Sequence, residues 1–415
     1  MRICLVVLCC WISISHAATV AISCGAVGRQ VELCREGVTI WEKRSGHKAS
    51  VVSTPASSSE RLALYQQLLA AKTADIDVFQ IDVVWPGILA PHFMDLTKPL
   101  AGQVKQHFPA IIANNTVNGQ LIAMPWYTDA GVLYYRKDLL EKYQQPIPET
   151  WTEMTRVAKH IMTQERKAGI EKMWGFTWQG RAYEGLTCNA LEWVNSYSGG
   201  QIVESDGKIS INNKQAVQAI AMAAKWVSDI SPPGVLNYAE EDARGVFQSG
   251  HAVFMRNWPY VWALTQHEDS PIRGKVGVAP VPKSENGQHA ATLGGWQLAV
   301  SKYSKHADIA IDLVRYLTSE EEQKRRALVG SYNPTIPSLY QDKQVLAANP
   351  FFGKLVKTLN VAIARPSTVT GAKYNQVSAA FYNQIHQVLA GRQKAGVAME
   401  QLARQLMRIS KGERW

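Results

Sequence analysis

IDVFQIDVV, residues 76–84, is predicted to be a strand buried in a sheet, because apolar and β-branched residues fill most of it. Two more predicted strands precede it, at 19–23 and 48–54. Predicted helices at 31–43 and 60–71 connect the three strands. This alternation of strand and helix is typical of a parallel sheet with helices on both faces, so we predict an α/β fold.

Polar residues stand at or beyond the ends of these three strands. Glu32 follows the first strand, Arg61 follows the second, and Asp82 lies near the end of the third. Ligands of such sheets bind beyond the carboxyl ends of the strands. Any one of the three could be an ordinary surface charge. Asp82 stands inside an apolar run, however, and a buried carboxylate needs a partner that a ligand can supply.

The stretch FMRNWPYVW, residues 254–262, places three aromatic rings within five positions. An extended backbone would put all three on one face, whereas a helical turn after the proline would fan them out. Such rings form either an amphipathic core segment or a surface that stacks against a flat ligand. We assign Trp258 and Tyr260 to a ligand-stacking wall and Trp262 to the core.

A pair of glycines precedes another aromatic residue in the motif LGGW, residues 293–296. Glycine lets the backbone approach a ligand closely, here beside Trp296.

The chain of 415 residues is longer than one hydrophobic core supports, which predicts two domains. The composition, 46% hydrophobic and 19% charged, is that of a globular protein.

Residues 1–17 have the pattern of a signal peptide, which predicts export to the periplasm. Arg2 supplies the positive charge, residues 3–14 form an apolar segment too short to span a membrane, and cleavage is expected near Ala17. An alternative is a lipoprotein anchored through Cys24. No later segment holds eighteen uninterrupted apolar residues, so we expect a soluble mature protein.

Three of the six cysteines, Cys24, Cys34 and Cys188, lie beyond the predicted signal peptide. In an oxidising compartment Cys24 and Cys34 could form a disulfide across a short loop, with Cys188 left as a buried thiol. The sequence has no CxxC motif and no cluster of histidine and cysteine, so no metal site is predicted. It also has no P-loop, G-x-G-x-x-G or G-x-S-x-G motif, and no cofactor is expected.

The formal charge of +10 could suggest a nucleic-acid partner. The basic residues are scattered, however, and the densest basic patch, at 324–326, follows three glutamates at 320–322. We interpret these residues as solvated helix faces and expect no nucleic acid.

Longer motifs point to a family. They are residues 77–82 (DVFQID), 127–131 (YTDAG), 134–143 (YYRKDLLEKY), 174–176 (WGF), 183–186 (YEGL), 256–260 (RNWPY), 274–280 (GKVGVAP), 291–296 (ATLGGW) and 365–366 (RP). Through them nearly the whole mature chain resembles the extracellular sugar-binding proteins of ABC importers, solute-binding protein family 1, and among these the trehalose/maltose-binding members.

The resemblance implies the type II periplasmic-binding-protein fold. Two lobes, each a mostly parallel sheet flanked by helices, would be joined by a hinge of several strands. The implied N-terminal lobe is 18–127 plus about 281–331, and the C-terminal lobe is about 128–280 plus 332–415. The hinge would lie near 125–130, 278–283 and 329–336.

The resemblance also implies a sugar site in the cleft between the lobes. Its implied ligand contacts are Glu32, Arg61, Asp82, Tyr127, Asp129, Trp258, Tyr260, Gly294, Trp296 and Arg365. Arg365 rests on the resemblance alone. The segment after Pro366, STVTGAKY, departs from the proline-containing continuation expected in the relatives, which leaves the choice of disaccharide open.

The function implied is that of a monomeric receptor, not an enzyme. It would bind an α-linked glucose disaccharide, trehalose or maltose, and deliver it by lobe closure to a permease served by a separate ATPase. One alternative is another oligosaccharide, a sulfated sugar or a polyol on the same fold. The other is an exported glycoside hydrolase, which is disfavoured because the candidate carboxylates are paired with arginines that would keep them ionised.

Overall fold

The computed structural model describes residues 18–415, so the signal peptide predicted for residues 1–17 lies outside the described residues. Eleven strands are found in this part of the chain. They are β1 Thr19–Gly25, β2 Lys48–Thr54, β3 Val78–Asp82, β4 Thr116–Val117, β5 Gln120–Leu121, β6 Met124–Ala130, β7 Val132–Arg136, β8 Trp174–Thr177, β9 Ala252–Asn257, β10 Val276–Pro280 and β11 Leu293–Val300.

The helices pack against the faces of the sheets. They are α1 Gln30–Ser45, α2 Ser58–Ala70, α3 Pro86–Leu89, α4 Ala101–Val104, α5 Pro109–Asn114, α6 Lys137–Lys142, α7 Trp151–Lys167, α8 Glu184–Ser196, α9 Lys214–Trp226, α10 Glu240–Gln248, α11 Val261–Thr265, α12 Ala307–Leu317, α13 Glu320–Gly330, α14 Lys343–Ala348, α15 Phe352–Asn360, α16 Ser367–Thr370, α17 Tyr374–Leu389 and α18 Ala395–Ile409. Four short 3-10 helices occupy Ala90–His92, Pro233–Asn237, Pro337–Tyr340 and Gly371–Lys373.

Five strands form the first sheet, in the order β2-β1-β3-β11-β6. β1 pairs in parallel with β2 and β3, as the alternation of strands and helices predicts. β11 runs antiparallel to both of its neighbours, β3 and β6. Four of the five strands therefore point the same way, and we call this sheet with its helices the first lobe.

Four strands form the second sheet, in the order β10-β7-β9-β8. β8 and β9 are parallel, while β7 is antiparallel to β9 and to β10. A large apolar core joins this sheet to α7, α8, α9, α17 and α18. We call this body the second lobe.

Local sequence explains why these helices begin where they do. Thr150 and Glu153 form a capping box at the start of α7, in which the hydroxyl accepts from the backbone of Glu153 at 3.2 Å. Ser57 caps α2, and Asp342 caps α14. The apolar positions of α12, Ala310, Leu313, Val314 and Leu317, are all buried in the first lobe.

The chain passes between the two sheets at Gly131, between β6 and β7, and over 281–292, between β10 and β11. Because α14 and α15 pack in the first lobe, it returns to the second lobe only between α15 and α17. Only glycine fits at the first crossing, because a Cβ on Gly131 would lie 2.1 Å from an oxygen of Glu192. The residue boundaries of the two lobes and the hinge that the resemblance implies stay a prediction. Past residue 332, α14 packs on α13, and α15 packs on β6.

The structure pairs Cys24 with Cys34 in a disulfide that joins the end of β1 to α1. Cys188 is buried as a free thiol. None of the helices between residues 18 and 415 is both long enough and apolar enough to span a membrane.

Candidate functional site

A cleft between the two sheets contains most of the predicted site residues. The empty space between its walls is about 580 Å³ when the open solvent at its mouth is counted. It is lined by Val27, Gln30, Ala56, Ser58, Asp82, Tyr127, Asp129, Glu184, Gly185, Cys188, Glu240, Trp258, Tyr260, Gly294, Gly295, Trp296, Tyr332 and Arg365.

The aromatic stretch 254–262 fans out, because β9 ends at Asn257 and α11 begins at Val261. Trp258 and Tyr260 lie in the turn between them and line the cleft. The Trp262 ring instead packs edge-on against Phe351, with 5.5 Å between the ring centroids. Trp262 therefore lies away from the cleft and is half-buried.

Each of the two cleft tryptophans has a buried guanidinium against one face. The guanidinium carbon of Arg256 lies 4.0 Å from the Trp258 ring centroid. That of Arg61 lies 4.3 Å from the Trp296 ring, which also meets the edge of Trp85. These contacts fix the orientation of both indoles, so that the rings present ordered apolar surface to the cleft.

Gly294 has no side chain, which makes room for two residues of the site. It pairs with Asp129 across β11 and β6. A Cβ at this position would lie 3.1 Å from the Trp258 ring and 3.2 Å from the Cβ of Asp129. Gly294 thus lets the indole and the carboxylate lie side by side.

Arg365 connects the two lobes across the cleft. Its Nη2 donates to Asp82 at the end of β3 at 2.9 Å, and its Nη1 donates to Glu184 at the start of α8 at 2.7 Å. Ser378 also donates to Glu184, at 2.6 Å. Burial raises the pKa of Asp82, and the charge of Arg365 opposes that rise.

Asp129 has a different environment, because no arginine of the described residues makes a hydrogen bond to it. It is buried, and its Oδ1 has no hydrogen-bond partner among residues 18–415. Burial raises its pKa well above the usual range, Arg256 and Arg326 oppose the rise, and Asp82 adds to it. The expectation that arginines pair with the cleft carboxylates therefore fits Asp82 and is wrong for Asp129.

Three further buried polar atoms at or next to the cleft lack a partner within the described part of the chain: Arg61 Nη1, Gln30 Oε1 and Arg365 Nε. Arg61 is held from behind, since its Nε and Nη2 donate to the Pro55 carbonyl at 3.0 and 2.8 Å. An unpaired buried donor or acceptor costs about 1–3 kcal/mol. A polar ligand in the cleft would supply the missing partners.

Tyrosine side chains form the floor of the cleft. The Tyr127 hydroxyl accepts from Gln30 at 2.6 Å and from Gln80 at 3.2 Å. The Tyr260 hydroxyl donates to Glu241 at 2.7 Å. Tyr260 stacks on Tyr332, with an interplanar angle of 15°.

Glu32 does not lie in the cleft. α1 begins at Gln30, so Glu32 falls on the outer face of its first turn, where the side chain is 53% exposed and receives a hydrogen bond from Arg29 Nε at 2.8 Å. The residue that extends from this turn into the cleft is Gln30. The other nine predicted residues lie at the cleft, eight in its lining and Arg61 directly behind Trp296.

Sequence reasoning missed several lining residues, among them Gln30, Glu184, Glu240 and Tyr332. Glu184 lies inside the YEGL motif and opens α8. Its place in that motif is the sequence signal that could have marked it. Tyr332 and Glu240 carry no local signal, because only the tertiary fold brings them to the cleft.

One group of three potential metal ligands lies close together in the described residues, His267, Glu268 and Asp269. All three are exposed, and none lines the cleft. Exposed acidic groups of this kind are common without a metal.

Comparison with known proteins gives the family. The model for bacterial extracellular solute-binding proteins matches residues 31–324. The chain belongs to this family. A probable ABC transporter-binding protein of Deinococcus radiodurans is 53% identical to this solute-binding protein over 403 residues, which is 97% of this chain and 96% of the relative.

Solved structures agree with the fold. Maltose-bound MalE3 of T. maritima matches this solute-binding protein with a TM-score of 0.90 and 38% identity, over 94% of this chain and 99% of that chain. The GacH receptor of Streptomyces glaucescens, solved unliganded and with acarbose, matches with a TM-score of 0.83 over 95% of this chain and 98% of that chain. Its identity is 22%, so it supports the fold alone.

Membership confirms the predicted two-lobed α/β fold of periplasmic binding proteins. The family is one of solute-binding proteins of ABC transporters and not of enzymes. Such proteins work with permease and ATPase subunits, and the family description places them outside the cytoplasm. The predicted monomeric state stays a prediction.

Proposed function

We propose that this chain is the receptor of an ABC sugar importer and binds an α-linked glucose disaccharide, trehalose or maltose, in the cleft. The lobes close over the sugar, and the closed form delivers it to the permease. Residues 1–17 act as a signal peptide that directs the chain to the periplasm.

The observation that carries this proposal is the combination of stacking rings with unpaired polar atoms. A glucosyl unit has two apolar C–H faces and a fringe of hydroxyls. Trp258 and Trp296 offer the rings, while Asp129, Arg61 and Arg365 each carry a buried polar atom without a partner in the described chain. This pairing of flat apolar surface with unpaired donors and acceptors matches a sugar.

The energies are sufficient for specific binding. A hydrogen bond to a charged group contributes about 1.5–3 kcal/mol, and a stacked ring contributes about 0.5–1.5 kcal/mol beyond its buried area. Several such contacts, less the cost of ordering, reach micromolar affinity, or about −8 kcal/mol. The T. maritima relative, solved with maltose bound, supports the choice of an α-linked glucose disaccharide.

Contacts across the cleft support the closure step. Arg365 connects Asp82 to Glu184, and the backbone N–H of Glu184 donates to Ser59 Oγ at 3.2 Å. At the other end the Gly28 N–H donates to Glu241 at 3.2 Å. A bound sugar would add contacts to both lobes at once, which favours the closed form.

Calorimetric titration with trehalose, maltose, sucrose and glucose tests the proposal. We expect heat of binding for trehalose or maltose. A flat trace for all four removes the disaccharide assignment, after which sulfated sugars, polyols and longer oligosaccharides are the next ligands to titrate. Release of glucose from trehalose or maltose by the purified protein would instead identify a hydrolase.

Trp258→Ala should weaken sugar binding at least about tenfold, because a stacked and desolvated ring is lost. Trp262→Ala is the matched control: it removes an indole from the same segment but outside the cleft, and should leave the affinity unchanged. Calorimetry and thermal unfolding of the ligand-free protein measure both effects. Collapse of the ligand-free fold in Trp258→Ala would assign this ring to the core instead.

A further inference from the structure

Arg326 is a buried cation without a hydrogen-bond partner in the described part of the chain. The basic patch at 324–326 was expected on a solvated face, yet Arg326 on α13 is only 1% exposed. None of its three guanidinium nitrogens has a partner among residues 18–415. The expectation is wrong for this residue because α13 turns Arg326 inward, onto the first sheet.

Three aromatic rings enclose the guanidinium. Its central carbon lies 4.0 Å from the ring centroid of Trp126, 5.3 Å from that of Tyr127 and 4.7 Å from that of Tyr332. Such contacts recover part of the lost hydration of a cation. They supply no hydrogen-bond acceptor in the plane of the guanidinium.

Each of the other buried arginines near the cleft makes at least one hydrogen bond. Arg256 binds Glu192, Arg365 binds Asp82 and Glu184, and Arg61 donates to the Pro55 carbonyl. An unpaired buried charge lowers the stability of the folded protein. Residues that cost stability without a compensating contact are expected at functional sites.

Arg326 lies directly behind the floor of the cleft. Tyr127 and Tyr332 contact it and also line the cleft, and Tyr332 stacks in turn on Tyr260. Asp129 follows Tyr127 by two positions on β6, so both side chains lie on the same face of the strand. The buried cation is therefore close to the cleft carboxylate that lacks a partner.

We propose that Arg326 is a positioning residue for the sugar site: it holds the Tyr127 and Tyr332 rings in place, and its charge favours the ionised form of the Asp129 carboxyl. The inference rests on the proposed function. An ionised carboxylate accepts two hydroxyl donors of a sugar, whereas a protonated one gives up an acceptor position. Arg326 acts through Asp129 and the rings, without touching the ligand.

The charged and titratable groups around Asp129 determine how the loss of the Arg326 charge would change the pH dependence of sugar affinity. They are Arg256 on β9, Asp82 on β3 and Arg326 on α13, with the tyrosines Tyr127, Tyr134, Tyr332 and Tyr340. Burial raises the pKa of all four tyrosines, so they stay neutral below pH 9. Removing the Arg326 charge raises the pKa of Asp129 further, since that charge lowers it.

The test compares Arg326→Met and Arg326→Lys with the wild type. Sugar affinity is measured by calorimetry between pH 5 and 9, and thermal unfolding is measured without ligand. We expect Arg326→Met to bind at least about tenfold more weakly at pH 7. Its binding should be lost at a higher pH than in the wild type as the solution is acidified, while its Tm stays equal or rises. Arg326→Lys keeps the charge and should keep the wild-type pH profile.

Arg325→Met is the matched control on the same helix. Arg325 binds Glu322 and Glu36 and does not line the cleft, so its loss should leave affinity and pH profile unchanged. Wild-type affinity and pH profile in Arg326→Met would overturn the proposal. A purely structural role would lower the Tm and leave the pH profile in place.

A measurement without ligand separates this inference from the proposed function. The carboxyl ¹³C resonance of Asp129, assigned with Asp129→Asn, is titrated in ligand-free wild type and in both Arg326 variants. An upward shift of the Asp129 pKa in Arg326→Met, but not in Arg326→Lys, supports the role of the charge even if none of the four sugars binds. Equal titration curves in all three proteins reject it. If the methionine variant does not fold, Arg326→Gln takes its place as the uncharged variant.

Discussion

At the scale of single residues, Asp129 is a cleft carboxylate whose burial is not offset by a full set of hydrogen bonds. Its Oδ1 has no partner in the described chain, and burial raises its pKa well above its ordinary value of 3.8. A raised pKa means that the folded protein holds this proton more tightly than the unfolded chain does. The proton therefore stabilises the fold at low pH, and this contribution is lost as the pH rises from about 4 through the raised pKa.

Asp129→Asn should consequently stabilise the ligand-free protein at neutral pH by about 1–3 kcal/mol, because the cost of the buried charge disappears. The gain should shrink as the pH is lowered towards 4, where the wild-type carboxyl is protonated. The same variant should lose sugar affinity, since an amide accepts fewer hydrogen bonds. Urea unfolding at several pH values measures the stability, and a gain that does not vary with pH would contradict the assignment.

Some residues of the site could be predicted from the chain, and others could not. Asp82 was recognisable as an acid inside an apolar strand, and Trp258 as part of a dense aromatic stretch. Glu32 was misassigned because its distance from the strand end is compatible with the cleft, yet the side chain direction depends on where α1 begins. Arg326 has the same sequence neighbours as a solvated arginine, and only the packing of α13 shows it to be buried.

At the scale of elements, the disulfide acts on the segment that joins β1 to α1. Cys24 is the last residue but one of the strand, and Cys34 lies in the second turn of the helix. The closed loop contains Val27 and Gln30, which line the cleft, and Gly28, which contacts the second lobe through Glu241. The bond therefore restrains cleft residues as well as the fold.

Replacing both cysteines, Cys24→Ser with Cys34→Ser, should lower the free energy of unfolding by about 2–4 kcal/mol through the entropy of the opened loop. It should also weaken sugar binding, because Gln30 must then be ordered at the expense of binding energy. Chemical unfolding and calorimetry measure the two effects. Reduced wild-type protein is the control and should behave like the double variant, and unchanged stability in both would contradict the prediction.

The turn between β9 and α11 illustrates the limit of reading elements from sequence. The stretch 254–262 allowed either a continuous strand or a helical turn, since the aromatic spacing fits both. The structure ends the strand at Asn257, and the turn sends Trp258 and Tyr260 to one side and Trp262 to the other. The decision depends on β7, which pairs with β9 only as far as Asn257, and pairing partners are not visible in a single sequence.

At the scale of the whole molecule, two glycines mark where the lobes meet. A Cβ added to Gly87 on α3 would lie 3.3 Å from the Cα of Gly371, which belongs to the segment packed beside α17 of the second lobe. The contact lies in the segment that follows Pro366. It can form only when the lobes are close together.

Gly87→Val should therefore impair closure without disturbing either lobe. Overpacking of this kind costs about 1–3 kcal/mol, which corresponds to about 5- to 150-fold in affinity. The stability of the ligand-free open protein should change little. Calorimetry gives the affinity, and small-angle X-ray scattering shows whether saturating sugar still compacts the molecule.

Gly102→Val provides the control for that experiment, because Gly102 lies on α4 of the same lobe and a Cβ there would meet nothing within 4 Å. Its sugar affinity should equal that of the wild type. Equal affinity in the Gly87 variant as well would show that the two glycines do not limit closure.

The position of β11 has a consequence for how the chain reaches its native state. β11 lies between β3 and β6 in the first sheet, although some 160 residues separate it from β6 along the chain. An exported chain that has emerged only as far as β6 therefore supplies two parts of that sheet, with a missing strand between them. The second sheet, built from residues 132–280, is available earlier than the first is complete. The first lobe emerges first, yet its sheet is the later of the two to have all its strands, and the second lobe in turn awaits α17 and α18.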